Sequence, residues 1–329
     1  MSPDGQYLVS ASDDCTVRLW ETDTCLCRYQ WRFSHPVVQV SWNPLPGHHL
    51  VAAATGNSVV LISTGTGDRD SSELSDSILD AARDAANKRQ ADGDEGEEEG
   101  EEEAEDGDDD DEDGEGKISK RKKTPAVWKL SKTEGAAGSA SSLRHGFVVG
   151  PVVELSFKHP VVSATWHHKG DYFVSLSPSA GAASVCIHQV SKAKTQQPFS
   201  KAPGEVQAVA FHPSRPVLVV ATKQHIKLYH LVEQKLIKKL LSGCKWLSCL
   251  DVHPSGDHIL AGSYDRRVVW FDLDLSSTPY KTLKFHEKAL RAVLYHRRFP
   301  LLASASDDGN VHIFHATVYK YVTLSECLL

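Results

Sequence analysis

The sequence predicts an all-β protein, a β-propeller of about six blades interrupted by one long polar insertion. Three observations carry that expectation. First, a phrase of strand, polar turn and strand recurs along the 329 residues. Second, its copies Trp166-His-His-Lys-Gly-Asp, Phe211-His-Pro-Ser-Arg-Pro, Val252-His-Pro-Ser-Gly-Asp and Tyr295-His-Arg-Arg-Phe-Pro begin 45, 41 and 43 residues apart. Three or four strands every ~40–45 residues is the period of a propeller blade. Third, the runs between turns are short, rich in Val, Ile, Leu and aromatics, and bounded by Gly, Pro, Asp and Ser, as strands are.

Two earlier copies complete the series. Trp42-Asn-Pro-Leu-Pro-Gly-His is one, and Ser2-Pro-Asp-Gly5 is another without its preceding strand. Each turn leads into a strand: Tyr7–Ser12, Tyr172–Leu176, Val217–Thr222, His258–Ser263 or Leu301–Ser306. A tight turn and a further strand follow, at Thr16–Trp20, Ser184–His188, Ile226–His230, Val268–Asp272 and Asn310–His315. The blades are therefore expected at 2–33, 35–157, 159–200, 203–242, 244–286 and from 288 onward. The last one breaks down near Thr317–Leu329, which leaves about six blades of an expected seven. Ragged ends predict a fragment of a longer chain, because an open ring exposes strand edges.

Asp14, Asp265 and Asp308 each follow a serine by two residues and precede an aromatic by six: Trp20, Phe271 and Phe314. This resembles the WD-repeat turn, so the propeller is expected to be of the WD40 type. In such a turn the aspartate accepts backbone N–H groups left unpaired, and the aromatic packs between blades. These six residues are thus expected to be structural.

The chain divides into early blades over 1–67, an insertion over 68–143 and the remaining blades over 144–329. Within the insertion, Leu74, Ile78, Leu79 and Ala82 have helical spacing and predict one amphipathic helix inside Ser71–Gln90. From Asp92 to Gly116 there are 18 acidic residues and no Lys or Arg, which predicts disorder because nothing there can be buried. The basic run 117–123 follows at once, with Lys120, Arg121, Lys122 and Lys123 as a candidate nuclear localisation signal. The blade is expected to resume around Phe147–Phe157.

The net charge of −7 hides a basic body. Outside the acidic tract, 36 basic residues face 25 acidic ones. A basic body favours polyanionic partners. The tract itself reads as a solvated loop, as an arm for histones or ribosomal proteins, or as a mimic of RNA that screens the basic face. Cations crowd into the later blades: Lys245, Arg266, Arg267, Lys284, Lys288, Arg291, Arg297 and Arg298 are candidate RNA- or partner-binding residues. Lys235, Lys238 and Lys239 lie in the blade before. Tyr264, Tyr280, Phe285 and Tyr295 are interleaved, and each is expected in the core rather than as a platform for bases.

Several classes are excluded. No apolar run approaches the 18–20 residues of a membrane span, and Met1 is followed by Ser-Pro-Asp-Gly, a turn and not a basic leader. There is no GxSxG elbow, GxxxxGK[ST] loop, HExxH or GxGxxG. The 17 histidines sit mostly at turns, as His167, His212, His253 and His296 do, one per blade and too far apart to share an ion. His48-His49 and His167-His168 lack partners at ligand spacing. Seven scattered cysteines form no framework and predict reduced thiols; Cys25 and Cys27 are expected on one face of a strand. No catalytic residue, metal, cofactor or small-molecule substrate is expected.

One stretch is more specific than the repeat. Gly262-Ser-Tyr-Asp-Arg-Arg-Val-Val-Trp-Phe-Asp-Leu-Asp-Leu-Ser-Ser-Thr-Pro-Tyr280, with Lys288–Val293 and Ala303–Val311, resembles the C-terminal propeller of the Block of proliferation (Bop/Erb) ribosome biogenesis family. Gln207–Pro216, Ile226–Leu231, Cys244-Lys-Trp246 and Val162–Tyr172 fit the same family. The resemblance implies a non-catalytic nucleolar scaffold. It would work with a pescadillo-like protein and a second WD-repeat protein on large-subunit (60S) pre-ribosomal particles and pre-rRNA, in nucleolus and nucleoplasm. The alternative expectation is a nuclear WD-repeat adaptor for histones or ubiquitin-ligase substrates.

Overall fold

The computed structural model describes residues 1–66, 79–81, 83, 84, 87, 125–131, 149–199 and 201–316. These form six antiparallel sheets, one per expected blade. Blade one holds β1 (Tyr7–Ala11), β2 (Thr16–Glu21) and β3 (Cys27–Arg32). Blade two holds β4 (Val37–Trp42), β5 (Leu50–Thr55), β6 (Ser58–Ser63), β7 (Ala126–Leu130) and β8 (Gly150–Phe157). Blade three runs through β9 (Ser163–Trp166), β10 (Tyr172–Leu176), β11 (Val185–Gln189) and β12 (Lys194–Gln196). Blade four comprises β13 (Val206–Phe211), β14 (Val217–Thr222), β15 (His225–His230) and β16 (Lys235–Leu241). Blade five comprises β17 (Leu247–Val252), β18 (His258–Ser263), β19 (Val268–Asp272) and β20 (Lys281–Leu283). Blade six has β21 (Leu290–Tyr295), β22 (Leu301–Ser306) and β23 (Val311–His315) among the described residues.

Each sheet is apolar on both faces, and the reason is visible in the packing. Five hydrophobic clusters coincide with the five joints between consecutive blades. Val17 and Leu19 meet Val51 and Ile62; Leu50 and Leu61 meet Trp166 and Phe173. Val174 and Leu176 meet Val209 and Leu218; Val219 and Leu228 meet Ile259 and Phe271; Leu260 and Val268 meet Val293 and Phe314. Burying one such side chain stabilises by roughly 1.5–3 kcal/mol, so the joints carry most of the fold.

Repeat equivalence exposes one exception. Val17, Ile226, Val268 and Val311 occupy the same third-strand position by register. The first three are buried, whereas Val311 is 66% exposed. On the facing side of blade one, Leu8 is exposed, while its equivalents Leu218, Ile259 and Leu302 are buried. Among the described residues, the two outer walls, of blades six and one, therefore lack the apolar cover that every internal joint has.

The insertion contributes more structure than its composition suggests. Residues 79–81, 83, 84 and 87 are helical, and Leu79 is buried in the joint between blades two and three. Leu74, Ile78 and Ala82 lie outside the described residues, as do the acidic tract, Lys120–Lys123 and 317–329. β7 lies inside the span read as insertion and adds a fifth strand beyond β8. Its Trp128 is buried and donates from Nε1 to Thr195 Oγ1 at 3.0 Å in blade three. The alternating Ala-Val-Trp-Lys-Leu of β7 fits a strand, but it follows a basic run within a low-complexity span, which masks it. A second correction concerns Cys25: it occupies a turn at φ +57°, and only Cys27 begins a strand.

Candidate interaction face

Alternating strand direction sorts the loops onto two faces. Turns from first to second and third to fourth strand lie on one face, here the lower. Turns from second to third strand and the loops between blades lie on the other, the upper. Lys245, Arg266, Arg267, Lys284 and Lys288 all stand in upper-face loops, and Arg291 is one residue into β21. Arg297 and Arg298 belong to the lower turn between β21 and β22. The eight candidate cations thus form six and two, not one patch. Lys235, Lys238 and Lys239 lie apart from both, on the outer strand β16.

The upper turns are built by the aspartates. Asp14 accepts the Thr16 amide at 2.9 Å and the Thr16 hydroxyl at 2.6 Å. Asp265 accepts the Lys245 amide across the joint between blades four and five. Asp308 accepts the Asn310 amide at 2.9 Å through one oxygen and the Glu287 amide at 3.0 Å through the other. Their aromatic companions sit inward: Phe271 and Phe314 are fully buried in joints, and half-buried Trp20 donates to Ser10 Oγ at 2.9 Å.

At blade six the turn joins a longer chain. His286 Nδ1 bonds Asp308 Oδ2 at 2.9 Å, and His286 Nε2 bonds Ser304 Oγ at 2.8 Å. Serine, histidine and aspartate in line is the order of a hydrolase relay. Here, however, Ser304 and His286 are both buried, so no substrate carbonyl can reach the hydroxyl. The trio ties β22, the blade-five exit and the blade-six turn together. Blade three holds a related chain, in which buried His188 links Ser175 Oγ at 2.8 Å to Thr195 Oγ1 at 3.0 Å. Burial pushes the His188 pKa down to about 3, which keeps it neutral.

The lower turns use histidine instead. His167, His212, His253 and His296 each accept turn amides at Nδ1: Lys169, Ser214 and Arg215, Ser255, and Arg298 and Phe299 respectively. An Nδ1 that accepts must be unprotonated, so these are turn caps. Among the described residues no group of three or more His, Cys, Asp or Glu is placed to hold a metal ion.

The interleaved aromatics of blades five and six differ in exposure. Tyr264 and Tyr280 are exposed, in contrast to the expectation, while Tyr295 is buried and Phe285 half-buried. On the rim itself, exposed Trp246 and Tyr264 meet edge to face, with centroids 5.7 Å apart at 83°. Lys223 Nζ lies 4.3 Å from the Trp246 ring centre, and the Arg291 guanidinium lies 5.3 Å from that of Tyr264. Arg291 is also bidentate to Asp307, at 2.8 and 2.7 Å. Arg267 donates to the Gly243 carbonyl at 3.2 Å and Arg266 to that of Glu287 at 3.5 Å, so the two guanidinia point to opposite ends of blade five. Among the described residues none of Lys245, Arg266, Arg267, Lys284 and Lys288 has a side-chain nitrogen within 4 Å of a carboxylate oxygen, although Lys288 is near enough to Asp307 to help hold its pKa down.

Comparison with known proteins agrees with the repeat. The family model "WD domain, G-beta repeat" matches residues 1–21, 234–272 and 277–315. The chain is 42% identical over 323 residues to the zebrafish (Danio rerio) "Ribosome biogenesis protein bop1", covering 97% of this chain and 36% of that protein. It is 41% identical over 321 residues to the human "Ribosome biogenesis protein BOP1", covering 97% and 37%. A Dictyostelium discoideum homologue is 36% identical over 324 residues, covering 97% and 34%. The chain therefore spans little more than a third of the length of these relatives.

Proposed function

We propose that the chain is the WD-repeat propeller of a Bop1-family protein and acts as a non-catalytic scaffold in ribosome biogenesis. The observation that carries the reading is identity of 41–42% sustained over 97% of the chain to proteins bearing that name. In finer detail, the scaffold serves large-subunit maturation and pre-rRNA processing in the nucleolus and nucleoplasm. Its partners are a pescadillo-like protein, a second WD-repeat protein and the pre-ribosomal particle. The geometry supports a binding role: both relay-like chains are sealed inside blades, while five cations that form no ion pair within 4 Å face solvent on one rim or are half-buried there, Lys288 beside Asp307 among them. Such cations contact phosphates without reading sequence.

The test is affinity purification of the endogenously tagged protein with mass spectrometry. Co-purification of large-subunit precursors with a pescadillo-like protein and another WD-repeat protein is the expected result. Recovery of histones or ubiquitin-ligase subunits without pre-ribosomes would instead favour the adaptor reading.

A further inference from the structure

We propose that the outer edge of blade four docks an extended segment of a partner protein, which adds to β16 as a fifth strand and carries Asp or Glu between apolar residues. The proposal stands apart from the ribosome-biogenesis reading, since it holds for a scaffold and for an adaptor alike.

Blade two shows the arrangement within this chain. Its fourth strand, β8, is covered by a fifth, β7, paired antiparallel from Ala126 opposite Phe157 to Leu130 opposite Val153. A blade of this propeller thus accepts a strand beyond the usual four. The outer strands of the other blades differ in what they offer. β12 and β20 have three residues each, too few to template a strand. β3 has six, but its large apolar side chains are not exposed, and its Arg28 is engaged by Glu21 at 2.7 Å. β16 has seven, of which Leu236, Ile237 and Leu241 are 49%, 54% and 47% exposed. A long edge with exposed apolar side chains is a template for pairing.

The register shows which main-chain groups of β16 point outward. Ser242 donates its amide inward, to the Gln224 carbonyl, whereas Leu241 donates outward, to the Ser277 carbonyl of blade five. Inward and outward residues alternate along an antiparallel strand. Lys239, two residues before Leu241, therefore presents its N–H and C=O away from β15. Among the described residues no group takes them up. Such edge groups are what an added strand satisfies, and the Ser277 carbonyl already does so at one end.

Side chains set the chemistry of the partner. Lys239 stands directly opposite Lys227, and like charges so placed destabilise a strand pair. Lys235 and Lys238 lie on the same strand, and among the described residues no carboxylate oxygen comes within 4 Å of any of the four ammonium groups. Burial, and then the charge of Lys239, lowers the Lys227 pKa. On the same side of the sheet Lys227, Tyr229, Leu231 and Phe199 line a cavity of about 300 Å³. Unneutralised cations beside apolar side chains fit a strand that alternates acidic with apolar residues. Two other occupants fit less well. A second copy paired through this edge would bring two lysine-rich strands together, which lysine at an edge opposes. The acidic tract 92–116 has the charge, but besides glycine only Ala104 in it is apolar, so it has nothing to cover Leu236 and Leu241.

Binding to the purified full chain would be measured by fluorescence anisotropy with the labelled peptide Leu-Asp-Val-Glu-Val-Asp-Leu and with poly-glutamate of equal length. Hydrogen exchange resolved to single amides would be followed on the same complexes. The alternating peptide is expected to bind about ten-fold tighter than poly-glutamate and to slow exchange of the Lys239 amide about ten-fold. Lys239→Glu should weaken it about ten-fold. Proline is tolerated at an edge position whose N–H faces solvent. Lys239→Pro should therefore melt near wild type yet weaken the peptide more than Lys239→Thr, which removes the same charge and keeps the N–H. Equal binding of poly-glutamate, or peptide binding with the Lys239 amide exchanging as before, would mean attraction by charge without strand addition and overturn the inference. So would an oligouridine that binds through Lys239 while the peptide does not, or the absence of any saturable peptide binding to wild type.

Discussion

His286 and Asp308 lie 2.9 Å apart in blade six, with side chains 1% and 6% exposed. The pair bridges the exit of blade five and the turn between β22 and β23. It fastens the last described joint of the ring. Desolvation pushes the Asp308 carboxyl up, but the amides of Asn310 and Glu287 and the ring of His286 outweigh it. The group stays well below the usual carboxylate range.

Replacing His286 by alanine is expected to cost about 1–3 kcal/mol, because Ser304 and Asp308 lose a buried partner. Because the Asp308 pKa is depressed in the fold, its contribution is complete above about pH 4 and disappears as pH falls further. Urea titrations of wild type and His286→Ala at pH 7 and pH 3 check both statements. Equal midpoints at pH 7 would show that the bridge adds nothing to stability.

Asp251 behaves in the opposite sense. It sits partly buried on β17 and accepts the Tyr295 amide of blade six at 2.6 Å. Desolvation raises its pKa to about 6, against the lowering effects of the Tyr295 and Val252 amides and of Arg297. A raised carboxylate pKa means stability that is full below about pH 4 and declines as pH climbs through 6. Asp251→Asn should therefore gain on wild type by up to about 3 kcal/mol between pH 4 and pH 7. A constant difference across that range, read from denaturation midpoints, would contradict this.

The lower-face turn at blade three is acid-labile. Burial, with His168 and Lys169 adding to it, lowers the His167 pKa to about 4, and its Nδ1 accepts the Lys169 amide at 3.3 Å. With the folded pKa below the unfolded value near 6.5, the contribution is present above pH 6.5 and lost toward pH 4. His167→Ala should be less stable than wild type at pH 7.5 and nearly equal to it at pH 4. The two chemical denaturation curves provide the measurement.

Repeat equivalence makes a paired prediction. Lysine at Ile226, inside the joint between blades four and five, should cost more than about 3 kcal/mol. Lysine at the equivalent Val311 should change stability by less than about 0.5 kcal/mol. Similar losses at both sites would mean that the blade-six wall is covered in solution.

Much of this is legible in the chain, and the reasons are local. The six blades follow from turn chemistry repeated at a fixed interval, so Phe211-His-Pro and Val252-His-Pro announce their own strands. The structural aspartates follow from their spacing to Trp20, Phe271 and Phe314. What escapes the sequence depends on which loops share a face. Arg297 and Arg298 are close in sequence to Arg291 yet stand across the disc, because one strand length separates them. The four histidine caps are readable as turn residues, but which ring nitrogen accepts an amide is a matter of geometry. β7 is hidden because low-complexity sequence separates it from its partner β8. The paired aromatics Trp246 and Tyr264 become visible only once the joint between two blades is assembled.

A propeller that works on pre-ribosomes through its upper rim should lose that association when the rim loses its charge. Sucrose-gradient sedimentation of the tagged full-length gene product tests this, with wild type run against Arg266→Gly plus Arg267→Ala at matched levels. Wild type is expected to travel with large-subunit precursors. The double variant is expected to shift toward the top of the gradient while melting at an unchanged temperature. Wild-type protein that never enters the pre-ribosomal fractions, or a double variant that stays there undiminished, would contradict the rim's role.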